Sequence, residues 1–185
     1  MTNIDSVSAY VGPDYPCWKE RLQDGSEVLI RPIRRQDAAA ERCFLQSLSP
    51  ESKRFRFLGE FNSPSDTLVE KLTDIDYVND VALVAVTGEG KNECIVGVSR
   101  YAVDSTRGNC ECAVVVADAW QGKGLGTSLM RHLIRIAQDR GLHRMVSMDF
   151  ADNVEMKELA SYLGFRSHPD PDDSHQVIYS LILDD

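Results

Sequence analysis

The sequence predicts an α/β (α+β) fold, a mixed and largely antiparallel twisted sheet flanked by helices. Three apolar runs, 81–87, 94–103 and 110–116, are joined by short polar or glycine-bearing turns at 88–92 and 105–109. That pattern reads as three consecutive antiparallel strands. Leu125, Leu129, Leu133 and Ala137, with Met130, Ile134 and Ile136, recur at helical spacing behind a glycine-rich turn. A strand at 145–150, a helix at 154–163 and a strand at 177–183 follow, so a mixed sheet with helices on its faces is expected.

Taken in order, residues 1–26 carry Pro13, Pro16 and Asp24-Gly25 with little periodicity. They read as a leader lying on the domain, the first ten residues loose, and residues 27–185 as one domain. Residues 27–33 alternate as a strand, and Asp37 is placed to cap a helix reaching about Leu48. Ser49-Pro50-Glu51-Ser52 repeats the grammar of a helix start, a cap residue followed by proline at the first helical position. A third short helix begins at Ser65 or Asp66. Gly141 and Gly164 stop the two later helices, and 166–175, with Pro169 and Pro171 among aspartates, reads as a polar loop.

Composition excludes several functions. With 185 residues, 43% of them hydrophobic, the chain can bury one sizeable core. Twenty Lys and Arg against 29 Asp and Glu, a net charge of -9, argue against broad nucleic-acid binding. No basic segment followed by an apolar run opens the chain, and no run approaches the roughly 18 apolar residues of a membrane helix. A cytoplasmic protein without a membrane partner is expected. Five cysteines and four histidines show no C-x-x-C, H-x-x-x-H or H-E-x-x-H spacing, so reduced thiols and no metal are expected.

The stretch Trp120-Gln121-Gly122-Lys123-Gly124-Leu125-Gly126-Thr127 lies between an apolar strand and the long amphipathic helix. The first N–H groups of a helix lack intrahelical partners, and the helix dipole favours negative charge there. A phosphorylated ligand is therefore expected. A P-loop would need a hydroxyl residue after a Gly-Lys pair, and a dinucleotide fold would need G-x-G-x-x-G in an opening strand–helix unit. Neither spacing is present.

What the loop does contain is Q-x-x-G-x-G, as Gln121, Gly124 and Gly126. This resembles the acyl-CoA pyrophosphate loop of the GNAT acetyltransferase superfamily, and the order of elements over 27–185 is similar too. Four strings, Arg31-Pro32-Ile33-Arg34 with Asp37, Ser49-Pro50-Glu51-Ser52 leading to Arg54 and Phe55, Leu72-Thr73-Asp74-Ile75-Asp76-Tyr77, and Gly97-Val98-Ser99-Arg100-Tyr101, resemble the GNAT domains of bacterial protein-lysine acetyltransferases of the Pat type. No nucleotide-sensing region accompanies them, so control by a fused domain is not expected.

The resemblance implies acetyl-CoA as co-substrate and a fold splayed at its site. The pyrophosphate would lie on Gln121, Gly122, Lys123, Gly124, Leu125, Gly126 and Thr127, and the pantetheine would pair like an extra strand with Val114, Val115 and Val116, beside a β-bulge. Asn153 and Met156 match the second cofactor motif, where asparagine either caps the helix or also binds pantetheine. The family's tyrosine acid falls at Ala160. Tyr162 lies about 200° around the helix from it, so no dedicated tyrosine acid is expected.

Transfer to an amine also needs a base, because a lysine ammonium of pKa about 10.4 must lose a proton before it attacks. Glu111, a lone charge in the apolar run Cys110–Val116, falls where the Pat-like branch carries its glutamate base. Asp149 is the runner-up, expected on the opposite face from Met148. Cys110 and Cys112 open a ping-pong alternative, although both should share the strand face opposite Glu111. The expected activity is acetyl transfer to a primary amine acceptor, protein lysine foremost. Small-molecule or amino-acid acetylation and a non-catalytic acyl-CoA sensor are the alternatives.

Overall fold

The structure, a computed structural model, describes residues 10–105 and 108–184. Its strands are β1 (Trp18–Arg21), β2 (Glu27–Pro32), β3 (Asp80–Thr87), β4 (Cys94–Val103), β5 (Asn109–Val116), β6 (Arg144–Phe150), β7 (Arg166–Pro169) and β8 (Gln176–Ile182). Its helices are α1 (Ala38–Ser47), α2 (Pro50–Phe57), α3 (Asp66–Thr73), α4 (Leu125–Asp139) and α5 (Val154–Tyr162). One sheet takes the strands in the order β1-β2-β3-β4-β5-β6-β8-β7, parallel only between β5 and β6.

Two strands stand where the sequence shows none. Arg166–Pro169, expected as part of a polar loop, pairs antiparallel with β8, and Trp18–Arg21 of the leader pairs with β2. Both are edge strands. All four residues of β7 are exposed, so no apolar alternation marks it, and Pro169 is tolerated because an edge leaves one set of backbone groups unpaired. The first nine residues, and Thr106 and Arg107 of the expected turn, lie outside the described residues.

Side-chain alternation along β3 builds a core on each face of the sheet. Val81, Leu83 and Ala85 pack with Leu125, Leu129, Met130 and Leu133 of α4, whereas Ala82, Val84 and Val86 pack with Phe44, Leu45 and Leu72 of α1 and α3. The sheet centre is therefore buried on both sides. Gly97 lets α4 approach β4, since a Cβ there would stand 2.9 Å from Leu129 Cδ1 and 3.3 Å from Leu125 Cδ2. That contact seats the helix start where the glycine turn delivers it.

The bulge expected beside 114–116 lies elsewhere. The β4–β5 ladder runs without a shift, and the irregularity falls in the β3–β4 pairing at Ala85/Val86. Asp37 also differs from expectation, because its side chain caps no N–H of α1. Its carboxylate instead accepts from Arg31 Nη1 and Nη2 at 2.8 and 2.9 Å and from the Arg34 N–H at 2.7 Å. Arg31, 1% exposed, also pairs with Glu93. The Arg31-Pro32-Ile33-Arg34…Asp37 string is thus a buried ion pair tying β2 to the start of α1.

Glu41, 3% exposed on α1, is pushed up to about 7 by burial, which outweighs the opposing pull of Arg100 and Arg56. A carboxyl raised on folding stabilises the native state fully below its unfolded pKa, and that contribution is lost as pH rises through the folded value. The unfolding free-energy difference between wild type and Glu41→Gln should therefore swing by on the order of 3 kcal/mol between pH about 4.5 and about 7. Parallel urea melts across that window check it. A pH-independent difference would show that Glu41 does not titrate there.

Candidate active site

β5 and β6 pair only at Asn109–Glu111 with Arg144–Val146 and then part. Beyond that fork, β5 keeps β4 on one side and β6 keeps β8 on one side, leaving two facing open edges. The N–H of Ala117 donates to Val96 O at 2.9 Å. Ladder alternation then turns the backbone groups of Val114 and Val116 into the opening and those of Val115 toward β4. Of the three valines expected along a pantetheine, Val114 and Val116 face the gap and Val115 does not.

The glycine turn opens directly onto α4. Gly122 and Gly124 adopt φ of +71° and +87°, in the region only glycine enters at low cost. Gly126 needs no such freedom, since a Cβ there would sit at ordinary contact, 3.4 Å from Leu159. Helix α4 has no side-chain cap, and Ser128 N–H makes its first backbone bond to Gly124 O. The N–H groups of Gly124, Leu125, Gly126 and Thr127 are therefore available to one anion at the positive end of a 15-residue helix.

Two side chains of the expected cradle, Gln121 and Lys123, brace the loop. Gln121 Nε2 donates to Val116 O at 3.1 Å and to Ser52 Oγ at 3.3 Å. Lys123 Nζ pairs with Asp24 at 2.9 Å and lies 4.8 Å over the Trp120 ring, while the Gln23 N–H donates to Lys123 O. The β1–β2 turn thus buttresses the cradle. Ser49, besides capping α2 through the Ser52 N–H, donates its own N–H to Asp118, which also accepts from Ser52 Oγ at 2.9 Å. The Ser49–Ser52 string therefore locks α2 to the β5–α4 connection.

A cavity of about 250 Å³ occupies the fork, walled by Phe55–Leu58 at the end of α2, Glu111–Val114 of β5, Ser147–Asp149 of β6, and Met156. Glu111, exposed, is the last β5 residue paired with β6 and marks the apex. Its neighbour two places on, Ala113, and then Val115 share its face toward α1 and α2, while Cys110, Cys112 and Val114 face α4 and α5. Both cysteines are buried, and burial pushes the Cys110 thiol up to about 12 and the Cys112 thiol higher. Thiols held so far above neutrality supply almost no thiolate, which disfavours an acyl-cysteine route.

Asp149 lies on the opposite face from Met148, as alternation requires, and is 7% exposed. Burial is the main cause that raises its carboxyl to about 6, against hydrogen bonds from the Phe150 N–H at 2.7 Å and Asn153 Nδ2 at 2.9 Å. Asn153 Oδ1 meanwhile caps α5 by accepting from the Met156 N–H at 3.1 Å. Ala160, 1% exposed, offers no proton donor, and the hydroxyl of the exposed Tyr162 accepts from Arg131 Nη2 at 3.0 Å on the outer surface. Sequence reasoning missed Phe55–Leu58 as a cavity wall. The one available signal was the Arg54-Phe55 string, which says nothing about what the helix end faces.

A mixed sheet opened at a fork, with an anion cradle at the adjoining helix start, defines the acyl-CoA transferase class. Residues 46–165 match the Acetyltransferase (GNAT) family, and the chain belongs to that family. It is 46% identical over 186 residues to Acetyltransferase PA5475 of Pseudomonas aeruginosa, covering 99% of this chain and all of that one. It is 27% identical over 145 residues to Acetyltransferase Pat of Mycolicibacterium smegmatis, matching 78% of this chain but only 43% of that protein. Among solved structures, the GNAT domain of Streptomyces lividans PAT superposes with a TM-score of 0.83 at 26% identity, covering 91% of this chain and 99% of that one. A Salmonella typhimurium putative acetyltransferase, yncA, solved with acetyl-CoA, shares the fold at a TM-score of 0.66 and 22% identity, over 86% and 96% of the chains. The chain is an acyltransferase, and no helix among the described residues is long and apolar enough to cross a membrane.

Proposed function

We propose that this acetyltransferase uses acetyl-CoA to acetylate protein lysine by direct attack, with Glu111 as the general base. The observation that carries this reading is Glu111 at the apex of the β5/β6 fork, three residues before the open backbone of Val114. The cradle N–H groups of Gly124–Thr127 hold the pyrophosphate, and the Val114 edge receives the pantetheine like an added strand. That run delivers the thioester to the fork. Val114 N–H lies where it can polarise the carbonyl, and Glu111 faces the α1/α2 side from which an amine enters.

Lysine is favoured as acceptor by the likeness to the PAT GNAT domain, and the cavity between Phe55–Leu58 and β6 is the place for its side chain in this reading. Residues 27–185 form the catalytic unit in this reading, with the leader as a brace on the cradle, and the five free cysteines suit a cytoplasmic enzyme. Incubating the protein with acetyl-CoA and a lysate of its host, then mapping acetyl-lysines by mass spectrometry, should reveal new sites that depend on intact Glu111. Turnover on small amines with no modified protein would sink the lysine assignment.

A further inference from the structure

Direct transfer leaves a second proton to be placed. When the amine nitrogen bonds to the acetyl carbon and the C–S bond breaks, the electron pair goes to sulfur, and the thiolate needs a proton that Glu111, on the opposite face, is not positioned to give. The position where a tyrosine acid would stand is Ala160, and Tyr162 is held outside by Arg131. Among the residues walling the cavity, the titratable side chains are Arg56, Glu111, Cys112 and Asp149. Cys112 is a weaker acid than the thiol it would serve, and a guanidinium is too weak an acid for the task.

We propose that Asp149 donates the proton to the departing CoA thiolate, taking the place of the absent tyrosine. This rests on the direct-transfer reading above. Continuing the parallel register past Glu111↔Val146 sets Asp149 across the gap from Val114, the backbone position along which the pantetheine runs. Asp149 faces the α5 side, whereas Glu111 faces α2, so the two carboxyls flank the scissile bond from opposite faces of the sheet. Asn153 fixes the Asp149 carboxyl, and each of its oxygens keeps a lone-pair direction unused by the Phe150 and Asn153 donors.

The proton balance closes without a co-reactant. The ammonium loses one proton through Glu111 to water before it attacks and a second to Glu111 as the C–N bond forms. Asp149 begins protonated, its O–H breaks as S–H forms, and after the products leave Glu111 returns its proton to water and water restores that of Asp149. Burial already raises this carboxyl, and filling the cavity with pantetheine removes further water from it. A thiol of pKa about 8.5 takes a proton from such an acid downhill. Of the charged groups around it, Arg54 of α2 favours the anion and Asp152 of the following loop opposes it, while Tyr179 of β8 and Glu111 and Cys112 of β5 are its other titratable neighbours about the fork.

Single-turnover transfer rates measured across pH in wild type, Asp149→Asn and Glu111→Gln test the assignment. In wild type the rate should fall on the alkaline side as Asp149 loses its proton. Asp149→Asn should be at least about tenfold slower near neutrality and lose that alkaline fall while keeping the rise on the acid side. Asp149→Ala, read in parallel, should lose the same limb, and acetyl-CoA dissociation constants within about threefold of wild type would separate proton delivery from a weakened Asn153 cap. An alkaline fall that persists in Asp149→Asn, or a rate near wild type, overturns the proposal. If instead Glu111→Gln transfers normally while Asp149→Asn loses the limb, the base assignment fails and the thiolate donor stands.

Discussion

Replacing Glu111 by glutamine should slow acetyl transfer by about 10²- to 10⁴-fold, because a positioned base is worth that much when the nucleophile arrives protonated. The substitution keeps the size and hydrogen-bonding reach of the side chain. It sits on an exposed position at the strand fork, so the fold and the affinity for acetyl-CoA should survive. The loss should therefore fall on kcat with little change in KM for acetyl-CoA, the signature of an interaction made only in the transition state. It should also shrink as pH approaches the pKa of the amine, about 10.4 for lysine, where free base no longer needs to be generated. Steady-state rates on a lysine peptide from neutral to alkaline pH measure both. Turnover within threefold of wild type at neutral pH would remove Glu111 from the mechanism.

Arg31→Met should be the most damaging single change to the fold. It strands Asp37, 8% exposed, and the partner carboxylate of Glu93 without the guanidinium that both face. Breaking a buried pair by deleting one partner leaves an uncompensated charge and costs about 3–5 kcal/mol. For a chain of this size that corresponds to a fall in Tm of roughly 10 °C, at about 2–4 °C per kcal/mol. Arg31→Lys should recover little, because an ammonium cannot reproduce the bidentate contacts from Nη1 and Nη2. Calorimetry of the two variants decides the point, and a loss below about 1 kcal/mol in Arg31→Met would mean that water replaces the guanidinium there.

The two predictions probe features of unequal legibility in the sequence. Glu111 stood out by itself, as a charge within an apolar run flanked by cysteines that local alternation places on the other face. Arg31 and Asp37 were visible only as a family-like string, and the local grammar suggested a helix cap for Asp37. The carboxylate serves Arg31 instead, because an unpaired guanidinium buried under α1 would cost more than an uncapped helix start. Glu93, the third member, comes from the β3–β4 turn, too distant in sequence for any local rule to link it.

A similar division runs through the binding loop. The positive φ values of Gly122 and Gly124 and the run of four available N–H groups follow from short-range sequence, and the loop reads as an anion cradle from residues 120–127 alone. The duties of Gln121 and Lys123 do not follow. One holds Val116 and Ser52 and the other holds Asp24, partners supplied by a strand edge, another helix and the leader turn, which no local rule links to the loop. Long polar side chains reach several partners at similar energies, so the choice among them is made by tertiary proximity.

By itself, the sequence determined the order of elements apart from the edge strands β1 and β7, the family and its anion cradle, and the face on which Glu111 stands. These depend on backbone conformation and apolar periodicity over a few neighbouring residues. Only the tertiary structure decided that β5 and β6 part after three paired residues, that the end of α2 walls the resulting cavity, and that Asp149 enters it buried and facing α5. Strand divergence and burial are set by what packs across the sheet, and those contacts join residues far apart in the chain. The acyl donor's half of the chemistry is thus written locally, and the second proton's route emerges only when β6 folds against the open edge of β5.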